Sequence, residues 1–514
     1  MKQKFLFSGL TACLIAFSLP PFQSGFIAWF AIVPFFYLLS GLESRKDAFK
    51  WGYLTGLFTS ILVLYWLFYP APPGAVATIV IYPLYYGLFG FAFVSIKNKH
   101  GNLVALIAAP FLWTAVEYLK AIGELGFPWI TLGYSQSYYP YLIQYASITS
   151  VYGVSFWVVI LNSLVTYMIL HRTERKLLLP AAGFFLLAIF LPLIHGLLVV
   201  PSSASNTPGR HIRVGVVQGN IDAYIKWDKR FRELSFEKYE RLSKTLTSDS
   251  LDVIIWPETA TPAYLLKDQR RLSWIRRLYH ETNTPIMTGI QDYIFLDRKN
   301  YKTFNSVTLI DNLSGPYRTY AKTHLVPFGE RVPWEDDFAL LKKLLSRFEM
   351  GEGNFSPGDG IVLFPLALRN GRGTAKIGSV ICFESTFPEL VADFVRKGSE
   401  LLVIVTNDAW FKKSPAPYQH AQMAVFRAIE NRISIARSAN TGVSMTIDPW
   451  GRVRKQTAIF VDAAITDVLP LRQQTTFFTR NGHVFANVVL LLSFILFLLP
   501  PRQRFTSTEV REGV

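Results

Sequence analysis

Residues 253–258 read Val253-Ile254-Ile255-Trp256-Pro257-Glu258. Three β-branched residues and a tryptophan, closed by a proline, describe a short strand buried in a sheet. A carboxylate stands where that strand ends. Upstream, Ile212-Arg213-Val214-Gly215-Val216-Val217-Gln218 is a second strand run, and 231–248 between them has a charged, helix-forming composition. Downstream, strand runs fall at 285–290, 304–311, 374–382, 401–406, 433–437 and 442–448, with helical stretches near 337–348, 387–397 and 417–431. This alternation predicts an α/β domain over residues 205–480, with strands buried on one or both faces. It contains no internal repeat and no low-complexity tract.

Outside that domain the composition changes. The chain has 514 residues, of which 51% are hydrophobic, 41 are Phe and only 17% are charged. A soluble domain is nearer roughly 25% charged. The apolar excess lies in runs at 5–21, 24–41, 52–69, 73–96, 102–119, 150–170, 177–200 and 483–500. Runs of this length read as membrane-spanning helices, about seven in a membrane domain over 1–204 and one more, with a short tail, over 481–514. Residues 5–20 follow Lys2 and Lys4 like a secretory signal, but no small-residue cleavage site ends them and more spans follow, so they read as a retained first span.

Lysine and arginine placement orients the array. Lys2 and Lys4, then Arg45, Lys46 and Lys50, Lys97 and Lys99, Arg172, Arg175 and Lys176, and Arg502, Arg504 and Arg511 fall on one side. The opposite loops at 70–72 and 120–149 hold only Lys120. By the positive-inside rule both termini are cytoplasmic and the 205–480 domain is extracytoplasmic. The formal charge of +16, from 52 Lys+Arg against 36 Asp+Glu, is therefore partly an orienting signal. The rest suits an anionic membrane surface. No basic helix or aromatic–basic interleaving points to nucleic acid. The two cysteines, Cys13 and Cys382, lie far apart, and Cys13 sits in an apolar run, which excludes a disulfide framework.

Three polar residues stand at strand ends: Glu258, Lys322 in Tyr320-Ala321-Lys322-Thr323-His324-Leu325-Val326-Pro327-Phe328-Gly329-Glu330, and Cys382 in Ile377-Gly378-Ser379-Val380-Ile381-Cys382-Phe383-Glu384. Ligand and catalytic groups of open α/β sheets gather at such ends. A thiol is a nucleophile once a base takes its proton, a carboxylate can be that base, and an ammonium can hold the oxyanion formed by attack on an acyl carbon. A single cysteine is equally at home as a small buried core residue. His324, two residues beyond Lys322, reads as structural. His420 and Asp408 make no metal cluster by spacing, and no Walker-type phosphate loop is present. Neither a cofactor nor a metal is expected. Glu117, at the outer end of a span, either reaches the interface, pairs with Lys120 or is functional. The aromatic, Gly-rich segment 123–139 beside it either lines the mouth of the bundle or is an interfacial loop.

These motifs resemble those of the nitrilase, or carbon–nitrogen hydrolase, superfamily: Trp256-Pro257-Glu258, Lys322 to Glu330, and Ile381-Cys382-Phe383-Glu384. Together with the spans they resemble its membrane branch, the apolipoprotein N-acyltransferase family, over nearly the whole chain. Gln218-Gly219-Asn220 with Trp227, Asn407-Asp408-Ala409-Trp410-Phe411, Gln419-His420 with Met423 and Arg427, Arg437 with Asn440-Thr441-Gly442, and, in the membrane part, Glu117 and Gly126-Phe127-Pro128-Trp129 extend the match. The resemblance implies an αββα sandwich inserted into a helical membrane bundle. It implies Glu258 as general base, Lys322 as oxyanion group and Cys382 as nucleophile. Glu330, Glu384 and Asn407 would support them, with Glu384 orienting Lys322 or the incoming amine, or forming a structural ion pair. Trp227, Phe383 and Trp410 would line the substrate site.

The activity implied is transfer of an acyl chain from a membrane phospholipid, phosphatidylethanolamine in the family, to the α-amino group of the diacylglyceryl-modified N-terminal cysteine of apolipoproteins. It runs through a thioester on the cysteine, in the bacterial inner membrane, with the catalytic domain in the periplasm and the chain acting as a monomer. Two positions depart from the family pattern: Phe383 stands where Tyr is usual, and Lys412-Lys413 where Gly follows Trp-Phe. Two other readings remain beside this one. A membrane-anchored amidase would carry the same triad and use water, though it would not need the spans and the 123–139 loop. A transporter would need more ionisable groups inside its spans than Glu117.

Overall fold

The computed structural model describes residues 1–202, 209–222, 228, 230, 232–246, 250–311, 316–331, 355–472 and 474–501. The apolar runs of the first 200 residues are helices: α1 (Lys2–Ser18), α2 (Val33–Ser40), α3 (Arg45–Leu64), α4 (Pro72–His100), α5 (Asn102–Leu119), α6 (Ala146–Leu170) and α7 (Arg175–Val199). Among the described residues, five helices are long and apolar enough to cross a membrane: α3 with the turn that extends it to Phe68, and α4 to α7. The run at 24–41 folds in two pieces, a 3-10 turn over Gly25–Trp29 and then α2. Pro34 sits in the first turn of α2, where its missing N–H leaves no bond unmade. Helix α3 meets α4 through glycine. A Cβ added at Gly56 would lie 2.8 Å from the Pro83 Cα and 2.9 Å from the Tyr86 Cβ, the close approach that small residues permit between membrane helices.

The α/β part alternates as its sequence predicts. Its elements are β1 (His211–Gln218), α8 (Arg232–Lys244), β2 (Val253–Ile255), α9 (Gln269–Thr282), β3 (Ile286–Phe295), β4 (Tyr301–Ile310), β5 (Thr319–Ala321), β6 (Leu363–Ala367), β7 (Thr374–Ile381), α10 (Pro388–Arg396), β8 (Leu401–Thr406), α11 (Ala416–Asn431), β9 (Ser434–Ala439), β10 (Met445–Ile447), β11 (Val453–Gln456) and β12 (Ala463–Pro470). After it come α12 (Phe477–Asn481) and α13 (Val484–Leu498). The strands form two six-stranded sheets, in the orders β12-β1-β2-β3-β4-β5 and β11-β10-β9-β8-β7-β6. Each has a parallel centre, β1-β2-β3 and β7-β8-β9, with antiparallel flanks.

The two-residue period of a strand assigns the layers. Val253 and Ile255 of β2 join the core that holds Val214, Val216, Ile377, Val380 and Val403, between the sheets. Ile254 points the other way, to Phe236, Tyr239, Ile275 and Leu278 of α8 and α9. Helices α10 and α11 contribute Val391, Phe394, Val425 and Ile429 to the second sheet's core. The result is an αββα sandwich, the architecture the sequence leads one to expect. The sequence reading assigns no element to α9, whose buried Leu272, Ile275 and Leu278 recur every three residues behind the N-cap Asp268. The expected helix at 337–348 lies outside the described residues.

Because β2, β5, β7 and β8 run the same way within their sheets, their C-terminal ends open to one side. Helix α11 rests on the helical region at both its ends, through Gln419 in its first turn and Glu430 in its last. Glu430 of α11 accepts from the Ser150 hydroxyl at 2.6 Å and from the Val151 N–H at 3.0 Å in α6. Its other oxygen is 2.8 Å from Arg427 Nε. Gln144 Nε2 donates to the Trp450 carbonyl at 2.9 Å.

Candidate active site

The strand ends deliver Glu258, Lys322, Cys382 and Asn407 to one cavity of about 210 Å³. Glu258 is buried, and both its oxygens are held: Oε1 accepts from Asn305 Nδ2 at 2.7 Å and Oε2 from the Asn407 backbone N–H at 2.7 Å. Gly289 on the neighbouring β3 makes room for this corner. A Cβ there would stand 2.6 Å from the Glu258 Cα, the Pro257 carbonyl oxygen and the Thr259 nitrogen.

Lys322 follows β5 and is 1% exposed. Its Nζ donates to Glu330 Oε1 at 2.8 Å and lies 3.8 Å from Glu258 Oε1. Burial works against its charge, but Glu330 and Glu258 outweigh burial and raise its pKa above the ordinary lysine value. Glu330 is itself fixed, its Oε1 3.2 Å from Asn305 Nδ2 and its Oε2 accepting from the Val326 N–H at 2.8 Å.

Cys382 ends β7 with φ +52°, a left-handed value rare outside glycine, and opens a 3-10 turn to Thr386. Its carbonyl oxygen is clamped by the Ser385 hydroxyl at 2.8 Å and by His420 Nε2 at 3.1 Å. Burial pushes the thiol pKa well above its ordinary value. The Glu258 carboxylate adds to the rise, while the Lys322 ammonium opposes it. The thiol therefore keeps its proton toward solvent.

The remaining named residues take distinct places. Glu384 is fully buried and accepts from Tyr320 OH at 2.7 Å, from the N–H groups of Thr323 and His324 at 2.7 and 3.1 Å, and from the Ile381 N–H at 2.8 Å. It ties the chain after Lys322 to the strand that ends in Cys382. The His324 ring lies tilted against Phe387, with ring centres 5.1 Å apart. Asn407 accepts from Asn440 Nδ2 at 2.9 Å through Oδ1, while its own buried Nδ2 has no hydrogen-bond partner among the described residues. Phe383 and Trp410 both line the cavity. Trp227 lies outside the described residues.

Spacing alone does not disclose two further groups. Asn305 bridges Glu258 and Glu330; its signal is a polar side chain at a buried position of β4. Asp408 is the hub of a buried network, with His420 Nδ1 at 2.9 Å, Arg437 NH2 at 2.9 Å and Thr406 Oγ1 at 2.9 Å. Burial disfavours its charge, but Arg437 and His420 outweigh that and hold its carboxyl well below the usual range. Cys382, Asp408 and His420 lie close enough to resemble a three-ligand metal set. The Arg437 guanidinium already occupies the face of Asp408, so a cation placed there would meet another cation, and the set does not fit a metal.

The opposite wall of the cavity comes from the helical region: Trp66, Pro70, Ala71, Gly74, Ile81 and Tyr82 at the start of α4 and before it, and Phe127 and Trp129 after α5. Phe127 stacks on Phe383 at 6.1 Å and on Trp129 at 5.7 Å. Trp129 meets Trp66 at 4.7 Å, and Trp66 meets Phe411 at 4.7 Å. Trp129 Nε1 donates to Gln419 Oε1 at 2.7 Å. Glu117 holds this loop from below, accepting from Trp113 Nε1 at 2.9 Å and the Leu132 N–H at 2.8 Å. Lys120 does not pair with Glu117; its ammonium donates to the Ile130 carbonyl and stands 4.8 Å over the Tyr82 ring.

Residues 11–164 match the family described as the apolipoprotein N-acyltransferase N-terminal domain, and residues 213–467 match the carbon-nitrogen hydrolase family. An apolipoprotein N-acyltransferase of Geobacter metallireducens is 37% identical over 500 residues, covering 94% of this chain and 93% of its own. One of Chlorobaculum tepidum is 30% identical over 518 residues, covering 97% of each. Among solved structures, Saccharomyces cerevisiae Nit3, of the nitrilase superfamily, is similar at 17% identity with a TM-score of 0.38, over 52% of this chain and 93% of that one.

Proposed function

The chain belongs to the apolipoprotein N-acyltransferase family, and on that premise we propose how its residues divide the work. The enzyme moves an acyl chain, by way of a thioester, to the N-terminal cysteine amine of an apolipoprotein. We assign the first half-reaction as follows. Glu258 takes the Cys382 thiol proton, and the thiolate attacks an ester carbonyl of a membrane phospholipid. The Lys322 ammonium stabilises the oxyanion, and the unpartnered Asn407 Nδ2 supplies a further donor to the cavity. As the carbon–oxygen bond breaks, Glu258 returns its proton to the departing lysophospholipid oxygen. In the second half-reaction the α-amino group attacks the thioester, Glu258 accepts the amine proton, and the thiolate leaves and is reprotonated. Glu330 keeps Lys322 charged and placed. Glu384 acts through the backbone as a positioning residue.

One observation carries this reading: the cavity that holds the thiol is walled on one side by the sandwich and on the other by aromatic and aliphatic residues of the membrane helices. A site built for small soluble amides has no use for such a wall, whereas a lipid anchored in the bilayer must reach the thiol from that side. We take the donor to be phosphatidylethanolamine, as in the family, and the acceptors to be diacylglyceryl-modified apolipoproteins. The lysine and arginine bias of the short loops supports an inner-membrane protein with its sandwich in the periplasm. One chain supplies the cavity's walls, which supports a working monomer. Intact mass after incubation with phosphatidylethanolamine vesicles tests the mechanism. It expects an increase of one acyl chain, located on Cys382 and absent from Cys382→Ser. An adduct that persists in that variant overturns it.

A further inference from the structure

Behind the thiol's cavity, across the turn Asp408–Phe411, lies a second cleft of about 340 Å³ lined by Asn220, Asp222, Ala409, Lys412, Lys413, Thr441 and Phe460. Five of these seven residues are polar or charged, whereas the wall opposite the thiol in the first cavity is aromatic and aliphatic. Trp410 and Phe411 face the thiol's cavity, while Ala409 and Lys412 face the cleft. Two lysines against the one carboxylate of Asp222 leave the cleft formally positive. Thr441 is 2% exposed, and its hydroxyl has no hydrogen-bond partner among the described residues. A buried hydroxyl without a partner on a positive cleft is a donor waiting for an acceptor.

Lys412 lines the cleft and directly follows Phe411 of the thiol's cavity. Its ammonium stands 4.9 Å over the ring of Tyr69, the residue before Pro70 and Ala71 of the acyl cavity's membrane wall. Lys413 stands 5.9 Å over Phe460 on the cleft's far side. Aromatic faces hold ammonium groups in place without neutralising them. The backbone of Lys412 has φ +52°, a conformation that glycine adopts at no steric cost and a lysine does not. The strained position therefore carries a long cationic side chain on the cleft, one residue past the wall of the thiol's cavity.

We propose that Lys412, with Lys413 and Thr441, binds the phosphate of the phospholipid donor while its ester lies at Cys382. This rests on the acyl-transfer reading above. The glycerol backbone ties the phosphate to the reacting ester by a few bonds, so a donor with its ester at the thiol brings an anion to the neighbourhood of the cavity, whose wall at Trp410 and Phe411 runs directly into Lys412. An acidic side chain of the acceptor peptide has no such tether. The binding is to the phosphate, which every phospholipid carries. Phosphatidylethanolamine and phosphatidylglycerol are therefore both held at this position, and diacylglycerol, which lacks the phosphate, is not.

The test uses the full-length chain in bilayers and reads the two half-reactions apart. Acyl-enzyme formation is followed by mass against donor content, with phosphatidylglycerol, phosphatidylethanolamine or diacylglycerol of the same acyl chains. Preformed acyl-enzyme is then discharged onto a diacylglyceryl lipopeptide. Glycine suits the backbone at 412, so Lys412→Gly keeps the fold. It is expected to raise the half-saturating phospholipid content roughly fivefold to tenfold, to erase the preference for phospholipid over diacylglycerol, and to leave discharge onto the lipopeptide at the wild-type rate. A donor dependence unchanged in Lys412→Gly and in Lys412→Gly/Lys413→Gly overturns the inference alone. So does a defect confined to discharge, which would give the lysines to the acceptor. A wild-type chain that forms no adduct overturns the acyl-transfer reading and this inference with it.

Discussion

Glu258→Gln is the sharpest probe of the proposed base, because the structure shows that glutamine is not a silent replacement. Both carboxylate oxygens accept, one from Asn305 Nδ2 and the other from the Asn407 backbone N–H, each at 2.7 Å. An amide has one oxygen to give. The backbone donor of Asn407 cannot turn away, so the new oxygen must face it and the new NH2 must face Asn305. Asn305 can rotate to present its Oδ1, which has no partner in the native arrangement. That rotation gives up the 3.2 Å contact to Glu330, and Lys322 loses the carboxylate 3.8 Å away. One weakened hydrogen bond and one lost charge contact in a buried site cost about 1–3 kcal/mol. For a domain of this size that lowers the melting temperature by roughly 2–12 °C. The catalytic effect is larger. An amide cannot accept the thiol proton, and loss of a positioned base costs about 10²- to 10⁴-fold. The assay is the rate of acyl-adduct formation by intact mass, run beside a thermal melt. A folded Glu258→Gln protein that acylates within tenfold of wild type would refute the assignment of Glu258 as base.

Three more outcomes are expected. Gly289→Ala places a Cβ 2.6 Å from three backbone atoms around Glu258. It should slow adduct formation at least tenfold while circular dichroism remains native; unchanged acylation would show that the corner is not held as described. Asp408→Asn leaves Arg437 buried without its carboxylate and should cost about 3–5 kcal/mol in a thermal or denaturant melt. The sign in pH follows: a depressed carboxyl contributes stability that is present above the ordinary Asp range and lost as pH falls through the lower folded value, so the variant should lose stability at neutral pH and show a flatter acid limb than wild type. The raised Cys382 thiol should react with iodoacetamide slowly at neutral pH and keep gaining rate above the ordinary thiol range. A plateau below about pH 8 would contradict it.

The parts of this molecule that were legible in sequence are those carried by short-range pattern. β-Branched runs marked β1, β2 and β8 to within a residue or two, because a strand buried on both faces has no polar alternation to blur it. Glu258 and Cys382 were legible because each stands at or just past the end of such a strand, and Lys322 through its motif with Glu330. The partners that make them work were not, since they come from distant elements. Asn305 touches Glu258 across 47 positions, and Glu384 reaches Thr323 across 61. Glu384 was expected to orient Lys322 or the amine, or to form a structural ion pair, but its carboxylate accepts from the Tyr320 hydroxyl and from backbone N–H groups, which no side-chain pattern announces. Glu117 had an obvious neighbour in Lys120, yet the indole of Trp113 and the Leu132 N–H take its oxygen. Within reach were α9, whose apolar face recurs every three residues, and the break in the 24–41 run, where Pro34 marks a helix start.

The charges of the site explain how a thiol that burial keeps protonated can serve as nucleophile. Glu258, Glu330 and Lys322 sum to one formal negative charge around a neutral thiol. Moving the proton from Cys382 to Glu258 leaves that sum unchanged, because the carboxylate's charge reappears on sulfur. Ionisation to bulk water would instead add a second negative charge to a buried site, and that is the process burial and Glu258 together oppose. The Lys322 ammonium, 3.8 Å from Glu258 and held by Glu330, cannot release its own proton at any pH near neutrality. In the proposed cycle it is therefore a fixed charge available first to the thiolate and then to the oxyanion. Such an arrangement disfavours loss of the thiol proton to bulk water while leaving its transfer to Glu258 open. That matters for an enzyme that must carry a thioester beside water between two bilayer-bound substrates.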